Sequence, residues 1–290
     1  MGQIVGAALV AHHPGMMQPE EARRARGAGN DTDLVAGFAR LRSHVDAVRA
    51  DTFVLFDTHW FTTNMHLVAG AAHYTGLYTS FELPFALSRV KYDFKGAPEL
   101  AEAVEAVAKE RKVTARNVTE PTMPLQYPTI NVVARLGRAE KVMPAGVCQN
   151  ATFAQYMEMG AVIGEAISRA PGRVVLLASG ALSHKFTPVD FQLRNPNAWH
   201  PDNLSDPKNF EIDQRMIERF KQGRHDQALE HYPDMRAAHY EGWGAHYVQM
   251  AAALGGKNWR AKGTPCSAYE NASGTGNIHM WFDIEQGRAA

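Results

Sequence analysis

The sequence predicts an α/β protein, a single domain with a central mixed β-sheet flanked by helices and a metal site at one end of the strands. Short apolar runs bounded by turn residues alternate with longer segments whose apolar residues recur at helical spacing. The chain has 290 residues, 45% hydrophobic and 21% charged, which is enough apolar material for one large core. No internal repeat, low-complexity block or linker interrupts it, so residues 1–290 are expected to form one domain.

The elements follow in chain order. IVGAALVA (4–11) reads as a strand that runs out into His12-His13-Pro14. DTDLVAGFARLRSHVDAV (31–48) carries a helical stripe opened by Asp, and TFVLFDT (52–58) is a second strand leading into His59. APELAEAVEAVAKERK (97–112) is a helix with Pro98 in its first turn, where the missing N–H does no harm. KVMPAGVC (141–148) is a strand, ATFAQYMEMGAVIGEAISRA (151–170) a helix, and RVVLLAS (173–179) a third strand ending in an imidazole-bearing unit. There Gly180 and Ala181 permit a tight turn before His184. NPNAWHPDNLSDPKN (195–209) has three Pro and no period, so it reads as a loop of functional length. NFEIDQRMIERF (209–220) is helical, AAHYEGWGAHYVQMAAAL (237–254) looks like a buried helix with Glu241 in its first turns, and NIHMWFDI (277–284) is the last strand.

Thirty basic residues balance thirty acidic ones, so the footprint of a nucleic-acid or anionic-membrane binder is missing and a small molecule is the expected partner. Two cysteines do not make a disulfide framework. The N-terminus has no basic leader or uninterrupted apolar span, and Gly6 stands where a myristoylation signal wants Ser or Thr. A reducing cytoplasm is the expected compartment.

Candidate chemistry gathers at the strand ends. In open α/β sheets ligands bind outside the carboxyl ends of the strands. A lone His there is ordinarily a surface or packing residue, but the His12/His13 pair and His59 end two separate strands in the same way, and His184 follows a third. Glu241 sits in apolar company, where a carboxylate needs a positive partner. A metal shared with two imidazoles would supply it; a salt bridge to Arg236 is the competing explanation.

AHHPG (11–15), FDTHW (56–60), LASGALSH (177–184), the YEG around Glu241 and SGTGN (273–277) together resemble the class III extradiol ring-cleavage dioxygenases, from about residue 3 to about 284. That group includes the catalytic subunit of protocatechuate 4,5-dioxygenase. The branches most similar to this chain are homoprotocatechuate 2,3-dioxygenase and the large subunit of 2-aminophenol 1,6-dioxygenase. The resemblance implies Fe(II) held by His12, His59 and Glu241, with His184 as acid/base. His13 falls on the variable middle position of H-x-P. Two imidazoles and a carboxylate on one face of the metal would leave the other open to an aromatic diol, aminophenol or dihydroxypyridine together with O2.

In the protocatechuate-like branches a His stands where this chain has Tyr127. With a free phenol pKa near 10, Tyr127 is expected to donate a hydrogen bond rather than abstract a proton. His246, five residues along the presumed helix from Glu241, would point roughly 140° away and is a minor candidate. Trp60 or Phe61, Trp199 and Trp243 are candidate pocket aromatics, and Arg194 is weighed as a carboxylate holder against plain solvated surface. The 185–209 loop is expected to cover the site, and relatives that assemble imply a homo-oligomer. Two rival functions use the same residues: a Zn-dependent hydrolase, and a non-catalytic binding protein of the Memo type.

Overall fold

The computed structural model describes residues 1–120 and 122–284. Eight strands form one mixed sheet. Its spatial order is Ala115–Val118, His66–Ala69, Lys141–Cys148, Thr52–Thr62, Arg173–Ser179, Gln3–Val10, Met280–Phe282 and Gly263–Pro265. The four central strands, from Lys141–Cys148 to Gln3–Val10, are parallel. Their carboxyl ends therefore lie at one end of the sheet. Beyond Gln3–Val10 the sheet turns antiparallel, with Met280–Phe282 pairing against Ala7–Leu9.

The alternation along the strands divides the core in two. Ala7, Leu9, Val54 and Phe56 face the helices Pro98–Glu110, Phe153–Arg169 and Ala245–Ala253. Ala8, Val10, Phe53 and Leu55 face Asp33–Ala47 and Tyr127–Leu136. Buried on both faces, these strands read as nearly unbroken apolar runs, as central parallel strands must. Gly6 is the one position in the first strand where a side chain cannot fit, because a Cβ there would lie 2.2 Å from the Trp281 ring. The helix Phe153–Arg169 opens with a reciprocal cap between Thr152 and Gln155.

The mixed sheet and the predicted alternation stand, with local differences: the strands His66–Ala69, Ala115–Val118 and Gly263–Pro265 of the main sheet were not anticipated. The segment 277–284 is not one strand: Thr275–Asn277 pairs with Glu270–Ala272 and Met280–Phe282 joins the main sheet, with His279 at the break. The hairpin His73–Tyr78 with Val90–Lys95 and the helix Tyr127–Leu136 were not anticipated. The helix after Glu241 begins only at Ala245; Glu241 itself opens a 3-10 turn in which Gly242, Trp243 and Gly244 all have positive φ, at 54°, 59° and 75°. No helix among the described residues is long and apolar enough to cross a membrane, and Cys148 and Cys266 are both free and buried.

Candidate metal centre

The three donors come from three separate segments: a loop after a strand, a bulge within a strand and a 3-10 turn. His12 lies two residues beyond the first strand, its backbone carbonyl held by Asn131 Nδ2 at 2.9 Å. Its Nδ1 lies 2.9 Å from Ser179 Oγ, at the end of the neighbouring strand. With Nδ1–H donating to that hydroxyl, Nε2 keeps its lone pair for a cation.

His59 sits inside the strand Thr52–Thr62, not after it. Pairing with Lys141–Cys148 jumps from Asp57–Gly146 to Phe61–Val147, so Thr58, His59 and Trp60 bulge out of the ladder. Bulging strips amides of ladder partners, and Asp57 replaces them: its Oδ1 accepts from the His59 and Trp60 amides at 2.9 and 3.0 Å. Its Oδ2 accepts from Thr129 Oγ1 at 2.6 Å, which ties the first turn of the helix Tyr127–Leu136 to the same bulge.

Glu241 enters from the far side of the chain. Oε2 accepts the Ala181 amide at 2.6 Å, in the turn after the strand Arg173–Ser179. Oε1 is 3.1 Å from His12 Nε2 and 2.9 Å from His59 Nε2. Donor atoms of His12, His59 and Glu241 all lie within 4.8 Å of one another, so these three can hold a metal ion. The carboxylate is 5% exposed. Burial opposes its charge, but the charges of His12 and His184 and hydrogen bonds from His12 and His59 outweigh it and hold the carboxyl well below its usual range. Burial pulls His59 down, yet Glu241 prevails and raises it. Arg236 is not the partner of Glu241; its guanidinium lies over the Trp243 ring at 5.8 Å.

His184 stands one step outside the triangle, Nε2 3.8 Å from Glu241 Oε1, and burial lowers its pKa. Tyr127 OH is 2.8 Å from His59 Nε2; burial first, and the Glu241 charge next, push the phenol above its ordinary range. All five residues but His59 line a cavity of about 730 Å3 opening at the strand ends, together with His13, Arg26, Glu82, Phe186 and Trp199.

The remaining candidates separate cleanly. Trp199 and Phe186 bring part of the 185–209 loop onto the cavity, whereas Trp60, Phe61 and Trp243 are not among its lining. Arg194 does not face it either: its guanidinium donates to the Asp202 and Leu204 carbonyls at 2.8 and 2.7 Å and so ties the loop to itself. His246 is fully buried under Gly180, and burial lowers it to about 4. Because Glu241 is not on that helix, the 140° argument does not apply to it; burial behind Gly180 is what removes His246 from the site.

Sequence reasoning missed the supports: Asp57, Ser179, Asn131 and Asp213. Asp213 lies on the buried side of the helix Pro207–Lys221 with Met216, Ile217 and Phe220, and an acid in such a stripe was the available signal. It accepts from Ser183 N at 3.1 Å, Ser183 Oγ at 2.6 Å and Tyr269 OH at 2.5 Å, which fixes the turn that ends in His184.

Two imidazoles and a carboxylate converging at one end of a parallel sheet are the donor set used by mononuclear metal sites that keep coordination positions open for substrate. The chain is a member of the family described as the catalytic LigB subunit of aromatic ring-opening dioxygenase, whose model matches residues 6–276. It is 27% identical over 227 residues to the 3,4-dihydroxyphenylacetate 2,3-dioxygenase of Escherichia coli, covering 77% of this chain and 80% of that one. It is 24% identical over 303 residues to the 2-aminophenol 1,6-dioxygenase beta subunit of a Pseudomonas species, covering 99% and 97%. A crystal structure of an uncharacterized protein from Escherichia coli K12 shares the fold, with a TM-score of 0.64 at 14% identity over 96% of this chain and 99% of that one. The protein is a class III extradiol dioxygenase, an enzyme that opens aromatic rings.

Proposed function

We propose that the protein is an Fe(II)-dependent dioxygenase in which His12, His59 and Glu241 hold the metal, His184 moves protons, and Tyr127 orients the reactants. The observation that carries this is the meeting of both Nε2 atoms with Oε1 of Glu241, with a third imidazole, His184, 3.8 Å from the same oxygen. The donor set fits the ion: two neutral nitrogens and one carboxylate oxygen occupy one side and leave the cavity side free. Fe(II) bound there would let a chelating aromatic and O2 react together and would pass electrons between them.

The chain's own residues do the rest. His184 is not needed as a ligand, and lowering of its pKa by burial keeps it neutral near pH 7, with a lone pair able to accept a proton. Its Nε2, beside the donor cluster, would accept a proton from a ring hydroxyl or amine and return it to an oxygen of the reacting pair. Tyr127 keeps its proton, since burial and the nearby carboxylate oppose the phenolate. When the His59 Nε2 lone pair is taken by a cation, the Tyr127 hydroxyl loses its acceptor there and is free to donate to substrate or oxygen. Both oxygen atoms end in the ring-opened product.

The test is anaerobic loading with Fe(II), then oxygen uptake on catechols, 2-aminophenol and dihydroxypyridines. Uptake with iron and none with Zn2+ supports the reading; amide or ester hydrolysis by the Zn2+ form without oxygen uptake overturns it. A homo-oligomer in the cytoplasm is the proposed setting, and the exposed Phe85 and Phe186 on the cavity lining support an assembly.

A further inference from the structure

The cavity is electrically uneven. Glu82 stands on the His59 side, with Oε2 3.8 Å from His59 Nδ1. The arginine in the lining is Arg26, the last residue of the helix Glu20–Arg26. Its two neighbours on that helix are committed elsewhere: Arg23 pairs with Asp31 and Arg24 with Glu20, both at 2.7 Å. Arg26 has no carboxylate within ion-pair distance among the described residues. Its guanidinium instead lies over the Trp199 ring, 5.3 Å from the centroid.

That placement is built into the fold. The next residue, Gly27, has no room for a side chain, since a Cβ would fall 2.6 Å from Trp199 Nε1 and 2.0 Å from Asn30 O. Trp199 Nε1 also donates to Arg23 O at 3.3 Å, so ring and helix end are fixed to each other. On its other side Trp199 approaches His13, with centroids 5.9 Å apart, and His13 adjoins His12. His13 Nε2 is buried with no hydrogen-bond partner. A wall therefore runs from the metal donors through His13 and Trp199 to a free guanidinium. The space of about 730 Å3 is much larger than one chelating ring fills.

We propose that Arg26 is a specificity residue of this site, selecting aromatic substrates that carry a carboxylate arm directed away from the chelating pair, with His13 as a second polar contact. Guanidinium binds carboxylate through paired N–H donors, and an aromatic platform holds the fork in plane. Glu82, beside His59, would repel such an arm from the metal donors, so the arm is directed toward Arg26. The inference rests on the ring-cleavage reading above for its catalytic consequence, but not for the binding itself.

The experiment uses a matched pair, 3,4-dihydroxyphenylacetate and uncharged 4-methylcatechol, with the Fe(II)-loaded protein and its Arg26→Gln and Arg26→Lys variants. Oxygen uptake gives the ratio of kcat/KM for acid over neutral ring. Anaerobic calorimetry gives the affinity ratio without turnover. A charge-assisted contact predicts that Arg26→Gln lowers both ratios about 10- to 100-fold, through KM, while Arg26→Lys keeps part of the preference. Unchanged ratios in Arg26→Gln, or a parent that favours the neutral ring, overturn the proposal. If neither compound is cleaved yet the calorimetric ratio falls in Arg26→Gln, the binding role stands and the ring-cleavage reading of these substrates fails instead.

Discussion

Asp213→Asn tests whether the turn bearing His184 is held by a buried acid. In the parent, Oδ2 accepts from Ser183 Oγ and Tyr269 OH while Oδ1 accepts from Ser183 N. An amide cannot serve all three donors. With its oxygen at the Oδ2 place it points NH2 at the Ser183 amide, and flipped it abandons both hydroxyls. Against the ionised carboxylate either arrangement leaves at least one buried donor unpaired, at about 1–3 kcal/mol, whereas the protonated acid already spends one oxygen as a donor and the amide matches it more closely. The pH dependence is more telling. Burial raises the Asp213 carboxyl from 3.8 to about 7. Between those values the unfolded chain has lost the proton that the folded chain retains, so the stability contribution of Asp213 falls as pH rises from about 4 to about 7 and is level above. At about 1.4 kcal/mol per unit, the fall amounts to about 4 kcal/mol. Asn has no such slope. Thermal unfolding at pH 5, 6.5 and 8 samples about two of those units, about 3 kcal/mol, and should therefore show the parent losing stability relative to the variant as pH rises, with a change in Tm difference of about 6–12 °C, at 2–4 °C per kcal/mol. Slopes common to both proteins cancel in the difference. Parallel Tm profiles would refute the argument, since they would mean that Asp213 does not hold its proton in the folded state.

The other predictions concern the site itself. Glu241→Gln, His12→Ala and His59→Ala should each cut bound Fe(II) by metal analysis, while His13→Ala retains it; the reverse pattern for His12 and His13 would exchange their roles. His184→Phe should keep its iron and turn over at least ~100-fold more slowly, the usual range for a removed acid/base. In the parent, the acid limb of kcat should lie below the ordinary imidazole pKa, because burial lowers His184 and a bound cation acts in the same direction. Tyr127→Phe should lower kcat/KM by about 1–3 kcal/mol while preserving that limb. Loss of the limb would make Tyr127 the proton carrier.

Much of this site is legible because it lies where periodicity breaks. The strands 4–11, 52–58 and 173–179 announce themselves by apolar runs, and an imidazole just past such a run is visible without coordinates. What stayed hidden depends on contacts distant in sequence. Nothing near His12 indicates that Ser179 fixes its tautomer, and nothing near His184 indicates that Asp213 holds its turn. The hairpin His73–Tyr78 with Val90–Lys95 escaped because Tyr and Lys blur its alternation. Tyr127 was found through the family pattern, but Pro128 concealed that it begins a helix, although Pro in a first turn is compatible with one.

Glu241 shows why the misreading of its surroundings was physical rather than accidental. Ala, Met and Tyr after it favour a helix, and continuing that helix back through Glu241 is the local preference. The chain instead breaks into three successive left-handed residues. Gly242 and Gly244 adopt them without steric penalty, but Trp243 does not, at about 1–3 kcal/mol. Tertiary contacts offset that cost: the indole packs against Phe61 at 5.4 Å and lies beneath the Arg236 guanidinium, and Ala181 N–H anchors the carboxylate at 2.6 Å. Gly242 must also remain bare, because a Cβ there would meet Thr58 Cγ2 at 2.9 Å, in the bulge that carries His59. The strained turn and the bulge thus interlock, and neither the carboxylate nor the second imidazole can move without disturbing the other. Strain kept at this point is what a site needs if three donors from distant segments are to stand ready at fixed separation before any ion arrives.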